Sequence, residues 1–141
     1  MERFQNYRAK VIIDEITRAS IDGGRDAIGR YLLGLNDDPV YAEFSLGAKC
    51  YMPGIRDMAG NSVGVKEVSR LISRIRHRRF GVIVTTSIAG CQAYEEVRDD
   101  RHPIIFVSGR DIADILSAIG YGKPASVAEL LIREFPIDPN R

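Results

Sequence analysis

The chain has 141 residues, of which 45% are hydrophobic and 28% charged, and its formal net charge is +1. This length favours a single domain with a substantial core. The near-neutral charge excludes nucleic-acid binding through a global excess of basic residues, so such binding has to come from local clusters. The first ten residues lack the apolar segment of a secretory signal, and no apolar run approaches the roughly 20 residues of a membrane span. We expect a cytoplasmic protein with no membrane partner and with reduced thiols at Cys50 and Cys91.

The first half of the chain predicts one helix followed by two strands. An amphipathic helix is expected over residues 2–19, where apolar groups stand among charges at Val11, Ile12, Ile13 and Ile16. The glycine pair in IDGGRD ends this helix in a turn. Ala27–Leu35 is predicted as the first strand, and LNDDP as the turn that follows it.

The second strand is predicted over residues 40–51, where side chains alternate with period two. One face carries the apolar residues Ala42, Phe44, Leu46, Ala48 and Cys50. The other face carries Glu43, Ser45, Gly47 and Lys49. The strand is therefore expected to be half buried, with a polar face. The segment MPGIRDMAGNS after it predicts a loop long enough to be functional.

The second half of the chain alternates helices with apolar strands. Helices are predicted over residues 64–79, 92–100, 110–120 and 127–135, the third ended by Gly120 and the last opened by a capping box of Ser126 and Glu129. Between them, FGVIVTTS and HPIIFVSG are predicted as strands covered on both faces. This order of elements predicts an α/β fold, a three-layer α/β/α sandwich with a central mixed sheet.

Asp26 and Lys49 have the spacing of a metal-dependent phosphodiesterase site. Twenty residues separate Asp26 from position 47, and Lys49 follows two places later. The chemistry needs acidic oxygens to hold a hard divalent cation, which polarises the phosphate and lowers the pKa of its bound water. A neighbouring lysine stabilises the developing charge. Residues two apart on a strand point to the same side, roughly 6–7 Å from each other.

With these residues the sequence resembles the restriction-endonuclease-like, or PD-(D/E)xK, superfamily, and in particular its Mrr-like catalytic domains. The resemblance rests on the blocks GGRDAIG, AEFSLGAKCY, VGVKEVSRLISRIRHRRFGVIVTTS and QAYEEVRDDRHPIIFVSGRDI. It implies a type II/IV-like deoxyribonuclease that hydrolyses phosphodiester bonds of double-stranded DNA with Mg²⁺, for which Mn²⁺ can substitute. It also implies that Asp26 is a metal ligand and that Lys49 is the catalytic lysine.

Position 47 departs from the pattern of that superfamily. The resemblance implies an acid or a glutamine there, and this chain has Gly47. We therefore expect a site that lacks one metal ligand and a chain that is inactive or slow as written. Glu43 shares the strand face, but it lies about 13 Å away along the strand. Asp22, in the glycine turn, is the other acid that could substitute.

A basic stripe runs along the predicted helix at 64–79, formed by Lys66, Arg70, Arg74, His77 and Arg78. It is either a solvated helix face or a set of contacts to DNA phosphates, and such contacts carry no base specificity. Basic residues near a helix C-terminus are also favoured by the helix dipole. Gln92 and Ser87 are weaker candidates, because the resemblance places their region at the border of the active site.

The sequence thus predicts one nuclease-type catalytic domain over residues 1–141, either complete or a fragment of a longer chain. A domain of this size leaves little surface for reading DNA sequence, so we expect a separate recognition domain or a partner subunit. Cutting both strands needs two such domains, which favours a homo-oligomer. The alternative is a non-catalytic nuclease fold kept for DNA binding or subunit docking. A small-molecule-binding α/β domain is disfavoured because no glycine-rich nucleotide fingerprint is present.

Overall fold

The computed structural model describes residues 11–16, 26–35, 38–51, 62–75 and 78–136. These residues form one five-stranded sheet and four helices. In chain order the elements are β1 (Val11–Ile16), β2 (Ala27–Leu35), β3 (Asp38–Lys49), α1 (Val65–Arg74), β4 (Phe80–Thr85), α2 (Cys91–Asp99), β5 (Ile104–Val107), α3 (Gly109–Ala118) and α4 (Pro124–Glu134). The strand order is β1-β2-β3-β4-β5, antiparallel over the first three strands and parallel over the last three. The predicted mixed sheet and α/β class are confirmed.

The helix predicted over residues 2–19 is wrong where the structure describes it. Residues 11–16 form β1, which pairs antiparallel with β2 and has a register shift between Ile13 and Glu15. Consecutive β-branched residues favour an extended strand over a helix, and pairing with β2 decides the outcome. The guanidinium of Arg30 in β2 also donates two hydrogen bonds of 2.7 and 2.9 Å to the carboxylate of Asp14. Residues 2–10 and 17–19 of that prediction lie outside the described residues.

The hairpin of β2 and β3 confirms the two predicted early strands, although β3 begins and ends two residues earlier than predicted and includes Asp38 and Pro39 of the predicted turn. Its register runs without interruption from Ala27 opposite Leu46 to Leu35 opposite Asp38. Two glycines allow close packing or a special backbone angle within it. A Cβ on Gly29 would lie 2.5 Å from the ring of Phe44, and Gly34 has a φ of 92°. The predicted loop at 52–62 lies outside the described residues up to position 61.

Helices α1 and α2 cover one face of the sheet and form the hydrophobic core with it. Val68 and Leu71 of α1 and Val97 of α2 are buried against Ile83 and Ile104 of the sheet. This helix-covered face is the one that carries Ser45 and Gly47, both of which are buried. The face predicted to be polar is therefore partly a packing surface, because the helices of two parallel crossovers lie on it.

The opposite face of the sheet presents an apolar hollow of about 520 Å³ lined by strand residues. Its members come from all five strands and include Val11, Leu33, Phe44, Val82 and Ile105. Val11 and Ile105 keep 54% and 50% of their surface exposed. None of the helices in the described part of the chain contributes a residue to this hollow.

Two helix boundaries differ from their predictions by more than two residues. Helix α1 ends at Arg74, not at residue 79. The Arg79 amide donates to the Glu43 carbonyl of β3 at 2.9 Å, so Arg79 pairs with the sheet and not with the helix. Helix α4 begins at Pro124, whose fixed φ suits the first helical position. Ser126 is therefore inside its first turn and donates to the Lys123 carbonyl at 2.8 Å, so the predicted capping box is wrong.

The prediction that Gly120 ends the third of these helices is confirmed. Helix α3 runs to Ala118, and Gly120 follows with a φ of 96°. At its other end, Ser108 and Asp111 form a capping box that the sequence analysis did not identify. No helix in the described ranges is long and apolar enough to cross a membrane.

Ser45 provides a stability test of the packing beneath α1 and α2. Its side chain is fully buried and its Oγ has no hydrogen-bond partner. Because burying an unpaired hydroxyl is unfavourable, we expect Ser45→Ala to leave the free energy of unfolding unchanged or to raise it by about 1 kcal/mol. Chemical denaturation followed by circular dichroism measures this difference.

Thr85→Val is the matched control for that substitution. Thr85 is also buried, but its Oγ1 accepts a 3.1 Å hydrogen bond from the Ser87 amide. We expect the free energy of unfolding of this variant to fall by about 1 kcal/mol, since the Ser87 amide loses its acceptor. Destabilisation by Ser45→Ala as large as that of the control would show that the Ser45 hydroxyl is paired in solution.

Candidate active site

Asp26 is held at the edge of the sheet where β3 and β4 end and β2 begins. Its amide donates to the Leu46 carbonyl at 2.8 Å, and its Oδ2 accepts a hydrogen bond from the Ala48 amide at 2.5 Å. The carboxylate is therefore fixed against the backbone of β3. Its Oδ1 has no hydrogen bond to another described residue and is available to a ligand.

Gly47 and Lys49 lie at the same edge of the sheet as Asp26. The β2–β3 ladder ends where Ala27 lies opposite Leu46, and Asp26 directly precedes Ala27. Gly47 and Lys49, two places apart on β3, share one face of that strand. The Ala48 amide that binds the Asp26 carboxylate lies between Gly47 and Lys49. The structure thus brings together the three positions singled out by their spacing, while their chemical roles stay predictions.

A divalent cation fits this donor set only in part. Asp26 offers one free carboxylate oxygen, and Gly47 offers no side chain at all. Within the described ranges, no group of three or more His, Cys, Asp or Glu side chains comes together. Mg²⁺ commonly takes one or two carboxylates, with waters and substrate phosphate completing its shell. Among the described side chains, this edge of the sheet therefore offers one carboxylate to a cation, and a ligand role for Asp26 stays a prediction.

Of the two alternative acids, Glu43 lies away from this site. Glu43 lies in the middle of β3, beside a hollow of about 290 Å³ that it lines with Tyr41, Arg78 and Arg79. Gly47 is four positions further along the strand, a distance of about 13 Å. Asp22 lies outside the described residues.

Two polar residues next to Lys49, Thr86 and Tyr51, are not indicated by any sequence pattern. The Thr86 amide donates to the Lys49 carbonyl at 3.2 Å, and the Thr86 hydroxyl accepts from the Tyr51 amide at 2.7 Å. The Tyr51 phenol donates to the Ser62 carbonyl at 3.0 Å. Burial, and then the negative charge of Glu67, raise the pKa of Tyr51. The phenol therefore stays protonated and keeps its hydrogen bond at neutral pH.

The predicted basic stripe is only partly a helix feature. Lys66 and Arg70 are exposed on α1 and Arg74 is half buried near its end, whereas Arg78 follows the helix and His77 lies outside the described residues. Including Arg78 in a helical stripe was wrong, because the chain has already left the helix to join β4. The remaining three residues are four apart and lie on one side of α1.

Helix α1 starts close to the active-site edge. The residues just before it are fixed there by the bridge of Val63 to Ala89 and by the hydrogen bond from Tyr51 to Ser62. Since α1 connects the parallel strands β3 and β4, it runs back toward the other end of the sheet. Lys66 is therefore the stripe residue nearest to this end of the sheet, and Arg74 lies about 12 Å further along the helix.

The two weaker candidates have ordinary structural positions. Gln92 is an exposed residue in the first turn of α2. The backbone of Ser87 donates to the Thr85 hydroxyl at 3.1 Å and accepts from the Gly109 amide at 2.9 Å. These bonds join the end of β4 to the start of α3.

The comparisons with known proteins agree with this geometry. A family model for an Mrr-type catalytic domain, described as a restriction endonuclease, matches residues 3–116. The solved structure of the DNA modification-dependent restriction endonuclease AspBHI is 48% identical, with a TM-score of 0.73 over 86% of this chain and 30% of that one. MspJI restriction endonuclease in complex with a 27-mer oligonucleotide is 28% identical, with a TM-score of 0.72 over 92% of this chain and 28% of that one. A search of curated proteins found no match.

These matches identify the family and confirm the predicted restriction-endonuclease-like fold. The chain spans less than a third of the length of either solved relative. Restriction endonucleases of this kind are DNA nucleases, and their chemistry generally depends on divalent metal ions. This chain belongs to the restriction-endonuclease family with Mrr-type catalytic domains.

Proposed function

We propose that this chain is the catalytic domain of a restriction enzyme that hydrolyses DNA phosphodiester bonds with Mg²⁺, with Gly47 in place of one metal ligand. The observation that carries the proposal is the fixed pairing of Asp26 with the backbone of β3. The Asp26 carboxylate is hydrogen bonded to the Ala48 amide, between Gly47 and Lys49. A carboxylate and an ammonium group so placed on one strand edge suit a phosphodiester and a hard cation.

Each side chain has a distinct task in this proposal. Asp26 presents its free oxygen as a ligand, while the hydrogen bond to Ala48 prevents the carboxylate from turning away. Lys49 donates to the scissile phosphate and stabilises the negative charge that develops on it. A bound divalent ion would polarise the phosphate and lower the pKa of an attacking water. Mn²⁺ can take the place of Mg²⁺, since both prefer oxygen ligands.

Double-stranded DNA is the proposed partner, held by Lys66, Arg70 and Arg74. MspJI was solved with an oligonucleotide, which supports DNA binding by this domain. AspBHI is named as modification-dependent. Because this chain covers under a third of either relative, we place the reading of sequence or modification in a separate domain or subunit. Two copies would be needed to cut both strands, and we place the enzyme in the cytoplasm.

Gly47 also supports a second candidate, a nuclease fold kept for DNA binding or subunit docking. The glycine removes the side chain from the position where the resemblance implies an acid or glutamine. The two candidates differ in their need for metal, because a docking module binds its partner without a divalent ion.

We expect that Gly47→Glu creates or strongly increases metal-dependent cleavage. The substitution places a second carboxylate two residues before Lys49 and directly before Ala48, whose amide binds the Asp26 carboxylate. The present loss can be large, since a misplacement of about 1 Å at a reacting centre costs on the order of 100-fold in rate. A plasmid-nicking assay with Mg²⁺ or Mn²⁺ should show slow or no cleavage by the parent chain and clear nicking by the variant.

Three controls define that experiment. Gly47→Ala tests whether this buried position accepts a side chain, and circular dichroism reports whether it folds. Gly47→Gln tests the other residue type that the resemblance implies. Lys49→Ala combined with Gly47→Glu should abolish the gained activity. Efficient cutting by the parent chain would show that cleavage does not need an acid at position 47. A Gly47→Glu protein that folds and binds DNA but never cleaves it would favour the docking module.

We expect Lys66, Arg70 and Arg74 on α1 to contribute nonspecific DNA affinity, and the contribution of each residue to decrease from Lys66 to Arg74. Replacing Lys66 by Gln should weaken binding more than the same change at Arg74, because Lys66 lies nearer to the site. Each lost phosphate contact should reduce the salt slope of the binding constant by about 0.9. Fluorescence anisotropy over a range of NaCl concentrations measures the slope.

Arg133→Gln is the matched control for the stripe. Arg133 lies on α4 and is paired with Glu134 at 2.8 Å. We expect the salt slope of DNA binding to be the same for the Arg133→Gln protein as for the parent chain. A slope that is also unchanged for the triple variant of Lys66, Arg70 and Arg74 would show that the stripe is merely solvated.

A further inference from the structure

Thr86 joins the end of β4 to the end of β3 through three hydrogen bonds. Its amide donates to the Lys49 carbonyl at 3.2 Å. Its Oγ1 accepts from the Tyr51 amide at 2.7 Å and donates to the Tyr51 carbonyl at 3.1 Å. The Cys50 sulfur, at 3.9 Å, is the weaker alternative acceptor for the hydroxyl proton. The hydroxyl thus forms a ring with the backbone of Tyr51, two residues beyond Lys49.

The start of α3 packs against the backbone of Thr86. A Cβ on Gly109 would lie 2.4 Å from the Thr86 carbonyl oxygen, so only glycine allows this close approach. The Gly109 amide also donates to the Ser87 carbonyl at 2.9 Å. Thr86 is therefore held between a helix start and the strand that carries Lys49.

Tyr51 extends the same connection to the start of α1. Its phenol donates to the Ser62 carbonyl, and its ring packs against the hydrophobic core. Any movement of the Tyr51 backbone would shift both this anchor and the end of β3. The hydroxyl of Thr86 is the only side-chain group among the described residues that hydrogen bonds to the Tyr51 backbone.

We propose that Thr86 is a positioning residue for Lys49, and that its hydroxyl fixes the direction in which the Lys49 side chain leaves β3. This inference rests on the proposed function, in which Lys49 contacts DNA phosphate. An ammonium group on a flexible stem depends on its backbone for placement. Thr86 then affects DNA contact without touching DNA.

The first measurement tests whether the connection exists in solution. Thr86→Val keeps the branched shape and removes both hydroxyl bonds, whereas Thr86→Ser keeps the hydroxyl. Amide hydrogen exchange at Tyr51 should accelerate roughly five- to tenfold in Thr86→Val, as expected for one lost hydrogen bond, and stay within about twofold in Thr86→Ser. Unchanged exchange in Thr86→Val would overturn the proposal.

The second measurement tests whether Thr86 acts through Lys49. DNA affinity is measured by fluorescence anisotropy, using a short duplex and no metal, for Thr86→Val, Lys49→Ala and the double variant. We expect Thr86→Val to weaken binding by roughly two- to fivefold in the parent chain and to have no further effect in the Lys49→Ala protein. Thr86→Ser should restore the parent affinity.

Additive effects would show that Thr86 serves stability alone and would overturn the proposal. An unchanged affinity of Lys49→Ala would overturn it too, because Lys49 would then have no DNA contact to position. Neither result depends on cleavage. Failure of Gly47→Glu to cut DNA would count against the proposed function alone. The coupling between Thr86 and Lys49 is tested separately, by the DNA-binding measurements.

Discussion

The register of β2 against β3 is the constraint on which the rest of the site depends. It places Ala27 opposite Leu46 and so brings Asp26 next to the end of β3, where the hydrogen bond from the Ala48 amide fixes the carboxylate. A slip of one residue would move every paired side chain of one strand to the other face and would separate the Asp26 carboxylate from the Ala48 amide. Gly29 helps to exclude that slip, because the ring of Phe44 and the Ile12 carbonyl occupy the space of its missing side chain. The candidate site is thus built from one hairpin.

The parallel half of the sheet supports this hairpin from the other side. Lys49 pairs with Thr85 across β3 and β4, and Gly81 lets α1 pack directly on the sheet. A Cβ at Gly81 would lie 2.7 Å from the Ile75 side chain, so a larger residue would push the helix away. Helix α1 begins at the edge of the sheet that carries the candidate site. The distance between α1 and the sheet therefore also sets the distance between Lys66 and the candidate site. Packing in the core and placement of the basic stripe are therefore linked.

The sequence predicted what local pairing determines and missed what distant segments determine. Asp26 and Lys49 were found because two adjacent strands joined by a short turn convert a fixed spacing into a fixed distance. The strand at Val11–Ile16 was missed because its apolar residues also suit a helix, and only pairing with β2 decides between them. Thr86 and Tyr51 meet across 35 positions, and no periodicity predicts such a contact. The expectation of an acid or glutamine at position 47 came from family resemblance, and the structure adds that Gly47 is buried.

Paramagnetic line broadening by Mn²⁺ tests the central claim most directly, because it locates the metal without requiring cleavage. Titration of the Gly47→Glu protein with Mn²⁺, in the presence of a short DNA duplex, should broaden the amide signals of Asp26, Ala48 and Lys49 before those of other residues. The parent chain should show weaker broadening at the same amides, and Asp26→Asn should abolish it. Broadening centred elsewhere in the molecule, or unaffected by Asp26→Asn, would contradict the placement of a divalent ion at this strand edge.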